Sequence, residues 1–308
     1  MNAPRYRLRA VDRVLELGAR PWLMGIVNAS PDSFSDGGLH AGLEAQVALA
    51  AAQLAGGADI VDIGGESATT GRAPLDPAHE IELVVPLVER VASELGAIVS
   101  VDTYKPAVAR AAIAAGARIV NDVSGLRDPA LAEVCAQTGA ALVVMHTRAA
   151  PRERLQDADL YGDITEEVLA FLRERVALAI ARGVDPEQLI IDPGPDFAKT
   201  PAQTITLLTQ MGRLHELGRP LLMAISRKDF IGALTRRPPR ERLAGTLAAL
   251  EHGVRHGAHV FRVHDVAAAA DFLAVRAALS GEQAGHTDER GRDLALADEL
   301  RYDRLAAD

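Results

Sequence analysis

The chain has 308 residues, 48% of them hydrophobic and 24% charged, with a formal net charge of −9. That length buries a substantial core and accommodates one large α/β barrel or two ordinary domains, while the negative balance excludes a whole-protein attraction to nucleic acid or an anionic membrane. Cys135 is the one cysteine, so no intramolecular disulfide forms, and the charged N-terminal stretch leads into no apolar run of about 18 residues. The expectation is a cytoplasmic protein with neither nucleic acid nor membrane as a partner.

Residues 1–21 read as an N-terminal arm. From Trp22 onward, short apolar runs alternate with longer segments of helical periodicity, and strands are expected at residues 22–28, 59–63, 97–102, 118–121, 140–146, 189–192, 220–225 and 259–264. Asp76-Pro77 and Asp128-Pro129 signal helix starts, and Gly56-Gly57 and Gly116 signal helix ends. A strand followed by a helix, repeated about eight times, predicts a single (β/α)8 TIM barrel over residues 22–280, with a doubly wound open sheet as the structural alternative. Residues 281–308 are a strongly charged tail in which Leu296 and Leu300 recur at helical spacing. A packed helix, an oligomer contact and a disordered tail all fit it.

Nearly every expected strand ends in a residue with hydrogen-bonding or ionic chemistry. These are Asn28, Asp62, Asp102, Asn121 with Asp122, His146, Asp192, Ser226-Arg227-Lys228, and then Arg262 and His264. In a parallel barrel such ends converge on one face, where the loops after the strands build the active site. Asp102, Asn121, Asp192 and Lys228 suit a flat heterocycle: a carboxylate accepts two neighbouring N–H bonds, an amide donates and accepts, and a lysine donates. Arg262 and His264 stand two apart on one strand and point the same way, so with Asn28 they suit an anion. Asn28 offers a neutral oxygen to magnesium, which takes few protein ligands and shares phosphate oxygens and water. A diphosphate is the natural candidate. The first loop, Asn28-Ala29-Ser30-Pro31-Asp32-Ser33-Phe34-Ser35-Asp36-Gly37-Gly38, holds more polar and glycine residues than a turn requires, which points to a working loop.

The chain resembles the dihydropteroate synthase family through "MGIVNASPDSFSDGG", "DIVDIGGES", "SVDTYKP", "RIVND", "VVMH", "IIDPG", "SRKDFIG" and "FRVHDV", in family order from Met24 to Val266. The resemblance implies a barrel that joins 6-hydroxymethyl-7,8-dihydropterin diphosphate to p-aminobenzoate and releases diphosphate, with magnesium as cofactor and a homodimer as the assembly. It implies pterin contacts through Asp102, Asn121, Asp192 and Lys228, and diphosphate contacts through Asn28, as the metal ligand, with Arg262 and His264. It also implies that loop 29–38 closes over the diphosphate, with Phe34 against the arylamine and Asp36 near the reacting centre, while Ser67 and Thr69 serve the second substrate.

Three departures cluster where that second substrate is expected. The family's Gly-Gly-Glu-Ser-Thr-Arg-Pro-Gly becomes Gly64-Gly65-Glu66-Ser67-Ala68-Thr69-Thr70-Gly71, leaving Arg72 as a substitute cation. The run after Asp192-Pro193-Gly194 becomes Pro195-Asp196-Phe197-Ala198-Lys199, which keeps Phe197 as an aromatic wall but adds an acid. Asp229 stands where many relatives carry a small hydroxyl residue that receives the benzoate. A carboxylate there either caps the following helix or turns away, and Arg148 is a candidate relocated cation. These changes leave open a divergent paralogue using another nucleophile, or a non-catalytic pterin-binding protein.

Overall fold

The computed structural model describes residues 3–29, 38–66 and 73–281, without the side chains of residues 38–41. Phe34, Asp36, Ser67, Thr69, Arg72 and the tail beyond residue 281 therefore lie outside the described residues. The chain divides into a large unit, Met1–Ala270, and a second, Asp271–Asp308.

The large unit begins with a hairpin, β1 (Tyr6–Ala10) paired antiparallel with β2 (Arg13–Leu17). Barrel strands and helices then alternate: β3 (Trp22–Asn28), α1 (Gly38–Ala55), β4 (Ile60–Gly64), α2 (Pro77–Glu94), β5 (Ile98–Asp102), α3 (Pro106–Ala114), β6 (Ile119–Asp122), α4 (Ala130–Thr138), β7 (Ala141–Met145) and α5 (Ile164–Ala181). The second half continues with β8 (Leu189–Asp192), α6 (Pro201–Thr209), β9 (Leu222–Met223), α7 (Asp229–Thr235), α8 (Leu243–Arg255) and β10 (Val260–Val263), and α9 (Val266–Leu279) starts in this unit and ends in the second. Every expected strand is present.

All eight barrel strands pair in parallel, in the order β8-β7-β6-β5-β4-β3-β10-β9. A single parallel bridge from Ile191 to Leu221 joins the two ends, with the Ile191 N–H donating to Pro220 O at 3.0 Å. That bridge closes the ring and excludes the open sheet. The strands are buried on both faces, which is why they read as continuous apolar runs rather than as alternation.

Local chemistry sets the helix ends. Asp76 accepts from the Ala78 N–H with Pro77 as first helical residue, Asp163 accepts from the N–H groups of Thr165 and Glu166, and Thr200 with Gln203 forms a reciprocal capping box. Gly139 ends α4 in the left-handed conformation.

The hairpin is the part of the arm that sequence reading left without structure. Leu8, Ala10, Leu15 and Leu17 alternate inward and pack on Met24, Ile60, Ile119, Ala141, Ile190, Leu222 and Val260, near the starting ends of the strands. His259 fastens the segment: its Nδ1 accepts from the Leu221 N–H at 3.0 Å, so its Nε2 carries the proton and donates to Pro4 O at 2.9 Å. The barrel is thus stoppered at one end and open for chemistry at the other.

Candidate active site

Inward-facing positions alternate along each strand, so the last inward residue of several strands lands at the same mouth. Asp102 ends β5 and is in register with Asn121 on β6 and Gly64 on β4. In-register residues of parallel strands point the same way, so the carboxylate and the amide stand side by side. Gly64 leaves them room: a Cβ there would lie 3.3 Å from that of Asp102. Arg262 reaches across from β10, donating from Nη2 to Asp102 Oδ2 at 2.8 Å and from Nε to Asp62 Oδ2 at 2.6 Å. Asn121 Nδ2 donates to the same Asp62 oxygen at 3.1 Å. Residues separated by up to 200 positions therefore meet in one hydrogen-bonded array.

Asp192 closes the other side. It ends β8 buried, and its Oδ1 accepts from the Gly194 N–H at 2.7 Å. Gly194 has φ +64°, and a Cβ there would lie 2.1 Å from His146 O, so the turn that presents Asp192 admits only glycine. Beyond it, the Phe197 ring lies 4.3 Å from Lys228 Nζ, a cation over an aromatic face that sequence reading did not pair.

The β8–α6 loop is folded around a residue that sequence reading did not single out. Lys199 is fully buried and its ammonium donates to His146 Nδ1 at 2.8 Å, Gly194 O at 2.8 Å and Phe197 O at 3.0 Å. His146, read as one of the polar strand ends, is spent on this contact and packs against Tyr161 and Phe171 rather than facing a ligand. Burial pushes the Lys199 ammonium down to about 7, against the pull of Asp192. A lysine whose partners are two carbonyls of its own loop and one distant ring nitrogen leaves no motif beyond its presence.

Asp229 does not cap α7. It is exposed and pairs with Arg242 at 3.1 Å, and Arg242 also donates to the carbonyls of Arg227 and Lys228. The cap comes from Asp196, whose Oδ2 accepts from the N–H groups of Asp229 and Phe230, while its Oδ1 accepts from Thr204 Oγ1 at 2.9 Å. The two acids that depart from the family pattern are thus one arrangement: Asp196 clasps the segment bearing Lys228 to the loop bearing Phe197. Arg148 is no relocated cation, because it donates to Leu160 O and Glu167 and lies over the Tyr161 ring.

On the anion side, His264 is exposed with Nδ1 2.9 Å from Ser226 Oγ, and Arg227 is held by Asp265 through two bonds at 3.1 and 2.6 Å. Arg262 spends Nε and Nη2 on Asp62 and Asp102, which leaves Nη1 for a ligand. Asn28 is exposed at the end of β3, where its carbonyl accepts from Gln46. Among the described residues no three acidic, histidine or cysteine side chains converge on a metal position. One amide oxygen suits a magnesium ion held mainly by phosphate oxygens and water. At the root of the second loop, Lys105 bridges Glu66 at 2.6 Å and Glu80 at 2.5 Å, fixing the residue that precedes position 67.

Burial pushes Asp102 up to about 7 against the pull of Arg262, with Asp62, Glu80 and Asp122 adding to the rise. Burial likewise pushes Asp192 up to about 6, opposed by the Gly194 N–H and by Lys228. Both must ionise to accept from a ring edge, so affinity for a neutral 2-amino-4-oxo pterin should climb as pH rises and level off above about 7. Below about pH 6 it should fall by about tenfold per unit for Asp192 alone. Isothermal titration in buffers of different ionisation enthalpy checks this, since binding on the acid side must release protons. A dissociation constant that is flat with pH contradicts it.

The family model described as "Pterin binding enzyme" matches residues 24–264. The dihydropteroate synthase of Synechocystis is 42% identical over 268 residues, 86% of this chain and 92% of that one, and that of Escherichia coli K12 is 38% identical over 266 residues, 86% and 94%. Among solved structures, Xanthomonas albilineans dihydropteroate synthase with 4-aminobenzoic acid superposes with a TM-score of 0.82 at 43% identity, covering 90% of this chain and 99% of that one. The same enzyme in complex with 7,8-dihydropteroate gives 0.79 at 42%, covering 89% and 98%. Sequence, barrel and the gathering of Asp102, Asn121, Asp192, Lys228 and Arg262 at one mouth agree, and the chain belongs to the dihydropteroate synthase family of pterin binding enzymes.

Proposed function

We propose that the chain condenses 6-hydroxymethyl-7,8-dihydropterin diphosphate with p-aminobenzoate and releases diphosphate. One observation carries this reading. Asp102 Oδ1, Asn121 Oδ1 and Asp192 Oδ2 have no hydrogen-bond partner among the described residues, and they stand at the mouth with the Lys228 ammonium over Phe197. A 2-amino-4-oxo ring matches that set, offering N–H donors along one edge and a carbonyl with ring nitrogens along another.

In the reaction the bond between the pterin methylene and the diphosphate oxygen breaks, and the oxygen keeps the electron pair. The arylamine nitrogen then bonds to the methylene carbon and loses a proton. Nη1 of Arg262 and the ring of His264 stabilise the charge growing on the leaving group. Asn28 would hold magnesium, which when bound supplies further neutralisation of the diphosphate. Phe197, its ring 4.3 Å from Lys228 Nζ, forms an aromatic wall for the arylamine. The same reading has the enzyme working in the cytoplasm as a homodimer with magnesium. The free, buried thiol of Cys135, pushed up to about 12 by burial, suits a compartment where thiols stay reduced.

The test is diphosphate release from the pterin diphosphate with magnesium, measured with and without p-aminobenzoate. Release that depends on the acceptor, with 7,8-dihydropteroate formed in equal amount, is expected. Tight pterin binding without such turnover would overturn the assignment of p-aminobenzoate. A gain of turnover in Asp229→Ser would then identify Asp229 as the cause.

A further inference from the structure

We propose that Asp62 is a specificity-determining residue: by accepting from Asn121 it fixes that amide with its oxygen toward the ring, and so sets the mouth to read N–H donors. The inference rests on the ring-binding reading above.

Asp62 is fully buried on β4, and its Oδ2 receives Arg262 Nε at 2.6 Å and Asn121 Nδ2 at 3.1 Å. Its Oδ1 has no partner among the described residues, so the two bonds at Oδ2 define what the carboxylate does. A carboxylate paired with a guanidinium offers only lone pairs. The amide of Asn121 must therefore turn its nitrogen to Asp62 and its oxygen away. Asp102 and Asp192, once ionised, are acceptors by their own chemistry, whereas an amide presents either face. Turned the other way, Asn121 would set a donor beside two acceptors and favour a ring edge of mixed polarity. Asp62 removes that choice from below the mouth, where no ligand need touch it.

The test compares a 2-amino-4-oxo pterin with its 2,4-dioxo analogue, in which the exocyclic donor becomes an acceptor. The wild-type chain is expected to prefer the amino compound by about 100-fold or more. In Asp62→Leu the amide is free to turn, and the preference should fall by at least about tenfold, through weaker binding of the amino compound and tighter binding of the dioxo one. Asp62→Asn should keep the preference, because Arg262 only donates and holds the amide oxygen of the new side chain in the place of Oδ2. An unchanged preference in Asp62→Leu, or an equal loss in Asp62→Asn, overturns the proposal alone. Failure of the wild-type chain to bind either compound overturns the ring-site reading and this proposal with it. Should Asp62→Leu not fold, side-chain amide NMR of the wild-type protein decides: one Asn121 amide proton protected from exchange supports the proposal, and two equally fast ones overturn it.

Discussion

Arg262→Ala is expected to lower the unfolding free energy by about 3–5 kcal/mol and to abolish pterin binding together. The side chain does two things at once. Its Nε is the ionic partner of Asp62, a carboxylate with no exposed surface, and its Nη2 pairs with Asp102 at the mouth. Removing the guanidinium leaves one acid buried without a countercharge and two acids facing each other across the vacated space. The folded protein must then protonate or hydrate one of them, and either outcome costs the array that holds Asn121. Urea denaturation followed beside pterin titration reads both effects. A variant that lost binding but kept full stability would show that Asp62 finds another partner. Arg262→Lys should restore part of the stability but little of the affinity, because an ammonium cannot reach two carboxylates with the fixed fork of a guanidinium.

The second large effect separates binding from folding. Asp192→Asn is expected to weaken pterin binding by about 100- to 10,000-fold, equivalent to about 3–6 kcal/mol, while stability changes little. The Gly194 N–H, 2.7 Å from Oδ1, still needs an acceptor and takes the amide oxygen, so the loop stays closed around Lys199. That choice turns the new NH2 group into the site, where it meets the ligand's own donors. Calorimetric titration paired with thermal melting checks the contrast with Arg262→Ala. Equal losses in the two measurements would mean that Asp192 holds the loop rather than the ligand.

The barrel was legible because each strand is a short apolar run closed by a polar residue, and a ring of parallel strands converts that ending into a shared place. The same logic located Asp102, Asn121, Asp192, Lys228 and Arg262. It failed where a side chain serves its own backbone. Lys199 sits in a segment whose visible features are Phe197 and an extra acid, yet it ties two carbonyls of the loop to His146 after β7. Asp62 stood among the strand ends without a role, because an acid within Ile60–Gly64 has no sequence signature for partners on β6 and β10. The hairpin hid behind its arginines. Tyr-Arg-Leu-Arg-Ala and Arg-Val-Leu-Glu-Leu alternate as half-buried strands do, but each is short and charged on its outer face. Asp196 and Asp229, read as two separate departures, needed the fold to show that the first caps the helix and the second leans on Arg242.

The leucines of β1 and β2 plug the end of the barrel remote from the chemistry. Among the described residues the polar groups gather at the opposite mouth, so substrate and product come and go there, and whatever blocks that doorway stops traffic in both directions. A tag attached upstream of Tyr6 emerges at the plugged end, so anchoring the enzyme to a surface by that tag leaves the doorway facing the solution.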